Sequence, residues 1–400
     1  MPTPHPLPDE VHVPSAPQLT ARQHGGPDAL GAVRWDFSSN ANACGPCPMA
    51  LHAVQNTDPQ RYPDPSYSRL RTALAAFHGV SSGRVLLAAS ASECIQRITA
   101  WRWREGDRQV WTPKHAYGDY THAAQAWGLQ AVTLADLLTP SNTSGQKERG
   151  HETSDARISD PRHPGQLRWL CDPGSPLGQS ESAETLAAVL AGVFAGVSHA
   201  ASNQGNAPLP SAQQSGSPGS GPQITMVVDR AYAPLRLQGQ SALRPAQLDQ
   251  VWQLWSPNKA LGLTGVRAAY AIAPVGREAD VTSLETLAAS WPIGAHGEAM
   301  LQAWTQPDTQ HWVAQSRHTL AQWLAALRQT LLNHGWTCAP TDTHYLCASP
   351  AAPLDANALR QHGIKCRDAN SFGLPGWWRM SAQSPQALAA LDAALKEISA

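Results

Sequence analysis

Lysine is scarce in this chain, with five in 400 residues, at positions 114, 147, 259, 365 and 396. A lone lysine is ordinarily a solvated charge. Lys259 differs because it sits in a polar, Gly-rich loop, SPNKALGLTGVR, between two short apolar runs. Arg267 lies eight residues on, past Gly265. Thirty residues earlier Asp229 closes another apolar run, and Tyr232 follows it. These four residue types are what a pyridoxal phosphate site requires. A lysine amine can bond to the aldehyde carbon of that cofactor. A carboxylate at the ring nitrogen keeps the ring protonated, and a tyrosine hydroxyl can donate to the ring oxygen. An arginine clamps the phosphate in bidentate fashion. The phosphate needs further donors. The small-residue turn SASE (90–93) offers the N–H groups of Ala91 and Ser92 at a helix N-terminus, with the Ser92 hydroxyl. Such a turn says little alone and strengthens the case beside the other four residues.

The elements that must position these residues can be read from periodicity. Short apolar runs at 85–89, 109–112, 131–134, 167–171, 224–228, 251–255 and 268–272 predict strands. Helical patterns separate them. One from Ser66 places Leu70, Leu74 and Phe77 on one face, and another after Ser90 or Ser92 has either serine as its cap. Strands alternating with helices predict an α/β fold with a mostly parallel sheet covered on both faces. Two segments, 139–166 and 198–223, are rich in Ser, Gly, Pro, Asn and Gln and are expected as flexible surface insertions. The apolar, Ala-rich stretch 186–197 is expected as a buried helix. The expected organisation is an N-terminal arm (1–34), a large cofactor-binding domain (35–297), then a long helix (about 298–334) leading into a small C-terminal α/β domain (298–400 in all).

Composition excludes several classes. Formal net charge is −1, so no field favours nucleic acid or an anionic membrane. No run reaches the ~18 apolar residues of a membrane span. The Pro-rich start lacks a basic region and does not read as a signal peptide. The expectation is a cytoplasmic protein whose seven cysteines are thiols. The His and Cys residues show no zinc spacing, so no metal is expected. CGPC (44–47) invites a redox reading, but it follows an extended arm rather than a βαβ unit. No glycine-rich dinucleotide or P-loop motif is present.

DRAY (229–232), SPNK (256–259) and GVR (265–267) together resemble the fold-type I pyridoxal phosphate enzymes. The branch is the one that holds histidinol-phosphate aminotransferases and L-threonine-O-3-phosphate decarboxylases. The resemblance covers roughly residues 22–395, apart from the insertions. It implies a seven-stranded sheet and a homodimer. It also implies roles residue by residue. Ser256 holds the cofactor phosphate, Tyr117 of AYGDY stacks on the ring, and Tyr62 of RYPDP reaches the phosphate of the neighbouring subunit. Arg379 of WRMS grips a substrate carboxylate. One position departs: Ser175-Pro176-Leu177-Gly178 stands where the family has Asn-Pro-Thr-Gly. The shorter Ser175 puts one contact to the ring oxygen in doubt and leaves Tyr232.

Flanking motifs favour one activity. RQHGGPDAL and WDFSSNANACGP resemble the arm of the threonine-phosphate decarboxylases, as does CRDANSFGLPGWWRMS near the end. His24 and Arg367 would then hold the substrate's phosphate, the bland alternatives being a solvated arm and a surface ion pair. Trp377 and Trp378 are either core or pocket lining. The expected function is decarboxylation of L-threonine O-3-phosphate to (R)-1-amino-2-propanol O-2-phosphate, which feeds cobalamin biosynthesis. The alternative is an aminotransferase acting on histidinol phosphate or an amino acid. A non-catalytic binding protein is the third reading.

Overall fold

The computed structural model describes residues 24–134, 166–190 and 224–399. The arm before His24 and nearly all of the two expected insertions lie outside the described residues, as does most of the stretch 186–197.

Seven strands form the central sheet: β2 (Val85–Ala88), β3 (Gln109–Thr112), β4 (Gln130–Thr133), β5 (Gln166–Cys171), β6 (Ile224–Asp229), β7 (Trp252–Trp255) and β8 (Ala269–Ile272). Their order is β2-β8-β7-β6-β5-β3-β4. The neighbours β4, β3, β5, β6 and β7 run parallel, while β8 is antiparallel to both β7 and β2. The strands are nearly continuous apolar runs because helices cover both faces. Alternation across the pleat divides the core. Val85 and Leu87 join one cluster, and Leu86 and Ala88 join another across the sheet. Val227 and its neighbours Met226 and Val228 divide in the same way.

The covering helices are α1 (Pro48–Gln55), α2 (Ser68–His78), α3 (Ala91–Arg104), α4 (Gly118–Ala126), α5 (Ala183–Leu190), α6 (Glu278–Glu285) and α7 (Ala295–Trp304). The expected single helix across 298–334 is two. α7 stops at Trp304, and α8 (Pro307–Asn333) begins three residues later. Gln306, before Pro307, is extended at φ −79° and ψ 141°. A residue preceding proline is pushed out of the helical region, and proline suits a first helical turn because its missing N–H is not needed there.

The chain ends on a four-stranded antiparallel sheet, β12-β13-β10-β9, made by β9 (Thr337–Cys338), β10 (Tyr345–Ser349), β12 (Arg367–Asp368) and β13 (Trp378–Ser381). It packs with α8, α9 (Ala356–Gln361) and α10 (Pro385–Ser399) around Leu327, Leu331, Leu346, Met380 and Leu391. The described part of the arm joins this unit through Asp28, which pairs with Arg360 and Lys365. Just past the arm, β1 (Trp35–Asp36) pairs in parallel with β11 (Ile364–Lys365).

Candidate active site

In open α/β sheets a ligand binds beyond the carboxyl ends of the parallel strands. Here β2, β5, β6 and β7 point their carboxyl ends the same way. The residues that follow them border a cavity of about 660 Å³. Ser90, Ala91 and Ser92 come from the end of β2, Ser175 from beyond β5, Asp229 from the tip of β6, and Ser256 and Lys259 from beyond β7. Tyr117, Tyr232 and Arg267 complete the large-domain wall. Arg367 and Arg379 enter from the second sheet, and His24 from the arm. Every site residue expected from the sequence borders this cavity except Tyr62. Tyr62 is 79% exposed and stacks on Trp291 at 4.4 Å between ring centroids. Trp378 does not face the cavity; it packs in the core of the second sheet.

Local structure explains each placement. Ser90 is the N-cap of α3 and accepts from the Glu93 N–H at 3.1 Å, worth about 1 kcal/mol. Glu93 turns back to the Ala89 N–H and pairs with Arg97. Ala91 and Ser92 border the cavity, and their first-turn N–H groups have no intrahelical acceptor. The Ser92 hydroxyl lies 3.1 Å from that of Tyr117, whose ring stands at the mouth of α4. Lys259 is half-buried, with its ammonium 3.3 Å from the Ser256 hydroxyl.

The lysine loop is fixed from outside. Asn42 donates its N–H to the Lys259 carbonyl at 2.9 Å and its side-chain amide to the Ala260 carbonyl at 3.0 Å. Cys47 donates to the Leu261 carbonyl at 2.8 Å. Gly262, at φ +66°, is required where it stands, since a Cβ there would lie 2.6 Å from the Gly45 carbonyl oxygen. CGPC is therefore a backbone clip for the lysine loop. Burial pushes the Cys44 thiol up to about 11, the opposite of an activated thiol.

Asp229 is buried, and burial raises its pKa while the Lys259 charge opposes the rise. Its two oxygens accept from the Ala231 N–H at 2.9 Å and from the Tyr120 hydroxyl at 2.8 Å. Tyr232 takes a hydrogen bond from the Asn40 side-chain amide at 3.2 Å. Arg379 is 6% exposed, and its guanidinium donates to the Ser175 hydroxyl at 3.1 Å and the Ser38 carbonyl at 2.8 Å. Arg367 is buried as well, not a surface ion pair. Burial, with the Arg379 charge, lowers its pKa to about 10. Tyr120, Asn40 and Asn42 escape the sequence reading. Tyr120 follows Tyr117 by three residues, the spacing that shares a helix face, and both asparagines stand inside the DFSSNAN motif.

The donor set fits pyridoxal phosphate. A helix N-terminus, two serine hydroxyls and an arginine suit a phosphate dianion. A buried carboxylate and a lysine amine share one cavity, where a ring with a protonated nitrogen and an aldehyde would meet both. Among the described residues no group of three His, Cys, Asp or Glu side chains could hold a metal ion. No helix among them is long and apolar enough to cross a membrane.

Comparison with known proteins agrees with this chemistry. Residues 223–397 match the family described as aminotransferase class I and II. A histidinol-phosphate aminotransferase of Hyphomonas neptunium is 25% identical over 96% of this chain and 93% of its own length. Among solved structures, the histidinol-phosphate aminotransferase of Sinorhizobium meliloti, in complex with pyridoxal-5'-phosphate, superposes with a TM-score of 0.66. It has 19% identity over 92% of each chain. L-Threonine-O-3-phosphate decarboxylase of Porphyromonas gingivalis superposes with a TM-score of 0.64 and 18% identity, over 90% of this chain and 98% of that one. The chain is a pyridoxal phosphate-dependent enzyme of fold type I. Within that class, residues 223–397 carry the match to the class I and II aminotransferases.

Proposed function

We propose that the chain is an aminotransferase acting on a small phosphorylated amine such as histidinol phosphate, or on an amino acid. One observation carries the need for an anionic substrate. Arg379 is a buried cation bordering the cavity, its guanidinium donates only to neutral oxygens, and its Nε has no partner among the described residues. A buried charge is costly without a counter-ion, so the site calls for a bound carboxylate or phosphate. The relatives that match over most of their length are histidinol-phosphate aminotransferases, which favours amino transfer.

Bound pyridoxal phosphate supplies an electron sink for the bonds at the substrate's Cα. Lys259 would hold it covalently. Ala91, Ser92, Ser256 and Arg267 would hold its phosphate, with Tyr62 of a second subunit in a homodimer. Tyr117 would cover one ring face, and Tyr232 and Ser175 would face the ring oxygen. Asp229 would keep a proton on the ring nitrogen. The Lys259 Nζ would move a proton at Cα. Arg379 binds a substrate carboxylate, and His24 with Arg367 binds a substrate phosphate.

A second reading is decarboxylation of L-threonine O-3-phosphate. The arm motif puts it first, and one geometric observation favours it. The His24-Gly25-Gly26 segment borders the same cavity as both arginines, so a single small molecule could meet all three with a carboxylate and a phosphate. The test offers purified, cofactor-loaded protein two assays. One follows CO2 release from L-threonine O-3-phosphate with no keto acid. The other follows amino transfer from histidinol phosphate to 2-oxoglutarate. Transfer that stops in Lys259→Ala supports the first reading. Catalytic CO2 release without a keto acid overturns it in favour of the second. A protein that shows no visible absorbance from bound cofactor would sink both.

A further inference from the structure

We propose that Tyr120 is the positioning residue that holds the Asp229 carboxylate charged and aimed at the cavity, and that it thereby sets the acid limit of activity. The inference rests on pyridoxal phosphate facing Asp229 in this site. Tyr120 lies on α4, one turn beyond Tyr117, and is completely buried. Its ring stacks on Trp169 of β5, with centroids 4.9 Å apart and planes 11° apart. It also meets Tyr117 edge-on at 5.9 Å and 89°. Two aromatic neighbours therefore fix the ring, and the ring fixes the hydroxyl 2.8 Å from Asp229 Oδ2.

The hydroxyl matters because of what else surrounds the carboxylate. The titratable groups facing Asp229 are Lys259 from the lysine loop, Tyr120 from α4, Cys171 from β5 and Cys94 from α3. Burial raises both cysteines well above their ordinary value, so they stay neutral thiols. Burial also drives Asp229 toward its neutral form, opposed by the Lys259 charge, the Tyr120 hydroxyl and the Ala231 N–H. A lysine committed to a cofactor or substrate is not a constant counter-charge. The backbone N–H and the Tyr120 hydroxyl are. Burial keeps the Tyr120 phenol protonated across the working range, so it donates at every pH of interest. A neutral Asp229 could not hold a proton on the cofactor's ring nitrogen, and the electron sink would weaken.

The test compares wild type with Tyr120→Phe, which removes one oxygen and leaves the ring in its stack. A donor to a carboxylate is lost, so the proton affinity of Asp229 rises by about tenfold. The acid limb of the kcat profile then moves up by about one pH unit, with KM unchanged. The pH at which the bound cofactor's visible spectrum changes moves the same way, and apoprotein binds pyridoxal phosphate about tenfold more weakly by fluorescence titration. Tyr120→Met repeats the comparison without a ring. Trp169→Phe is the packing control, expected to lower thermal stability without moving the limb. A limb that stays in place in Tyr120→Phe overturns the proposal, as does one that moves equally in Trp169→Phe. Either failure differs from failure of the cofactor assignment, in which the wild-type protein itself would show no visible band.

Discussion

Gly25→Ala should release the arm from the site while leaving the rest of the enzyme intact. A Cβ on Gly25 would run into the Ser38 carbonyl, with the carbonyl carbon 2.7 Å away. Gly25 has no left-handed backbone, so the whole effect is this collision. One side must give. Ser38 is completely buried and firmly held. Asp36 accepts from its N–H at 2.8 Å, Arg379 donates to its carbonyl at 2.8 Å, and the preceding Phe37 carbonyl accepts from Ser381 at 2.9 Å. The arm at this point is held by the Gly26 N–H, which donates to the Ser38 hydroxyl at 2.9 Å, and by the Gly26 carbonyl, which accepts from the Lys365 ammonium at 2.6 Å. The arm therefore moves. Overpacking of this kind costs about 1–3 kcal/mol. Expressed wholly as loss of the docked arm, that is roughly a 5- to 150-fold rise in KM for a phosphorylated substrate, because each 1.36 kcal/mol is tenfold. Further out, Asp28 pairs with Arg360 and Lys365 and keeps the released segment tethered. Steady-state kinetics give KM and kcat, absorbance reports the bound cofactor, and a thermal melt reports the fold. KM within twofold of wild type, with a lowered melting midpoint, would refute the reasoning, because the collision would then be felt by the core and not by the substrate.

Two other expectations can be checked without a substrate. Burial holds the His78 imidazole at about 4, with its ring nitrogen 2.8 Å from the Tyr270 hydroxyl. The unfolded chain, with an ordinary histidine near 6.5, then binds more protons than the folded one, so stability falls as pH drops from about 6.5 toward 4. The loss approaches roughly 3 kcal/mol, and His344, also held at about 4, adds to it. Urea midpoints measured across that range should fall in wild type and fall less steeply in His78→Gln, and parallel slopes would contradict this. Cys44, pushed up from 9.0 to about 11, carries about a hundredfold less thiolate at pH 8 than an unperturbed thiol. Iodoacetamide labelling followed by mass spectrometry should find it slow, and fast alkylation or a ready Cys44–Cys47 disulfide would revive the redox reading.

The strands were legible because a sheet covered on both faces writes itself as short apolar runs, which is why 85–89, 167–171 and 224–228 fall on β2, β5 and β6. The cavity's lining was legible where one residue type stands out in one loop, as with Lys259 and Asp229, which border it together. Supporting contacts were not, because they join distant segments. Asn42 reaches the lysine loop across more than two hundred residues of chain, and Asn40 reaches Tyr232 across 192. No local pattern marks such a pair. The helix break at 305–306 was legible in principle, since Pro307 announces it, but the apolar periodicity on either side concealed it.

The serine at position 175 shows how the site absorbs a departure from the pattern of the enzymes it resembles. Its hydroxyl accepts from Arg379, so it braces the cation proposed to meet the substrate. Independently, the Asn40 amide donates to the Tyr232 hydroxyl oxygen. With one lone pair thus engaged, Tyr232 is oriented as a donor without help from residue 175. The two supports should then separate in kinetics. Asn40→Ala loosens Tyr232 by one neutral hydrogen bond, about 0.5–1.5 kcal/mol, and should lower kcat by roughly two- to tenfold with a spectral change in the bound cofactor. Ser175→Ala leaves Arg379 its bond to the Ser38 carbonyl and should raise KM for a carboxylate substrate by a similar factor, with the cofactor spectrum unchanged. The reverse assignment, a cofactor spectrum that responds to residue 175 and not to residue 40, would mean that serine serves the ring after all and that Asn40 is only part of the wall.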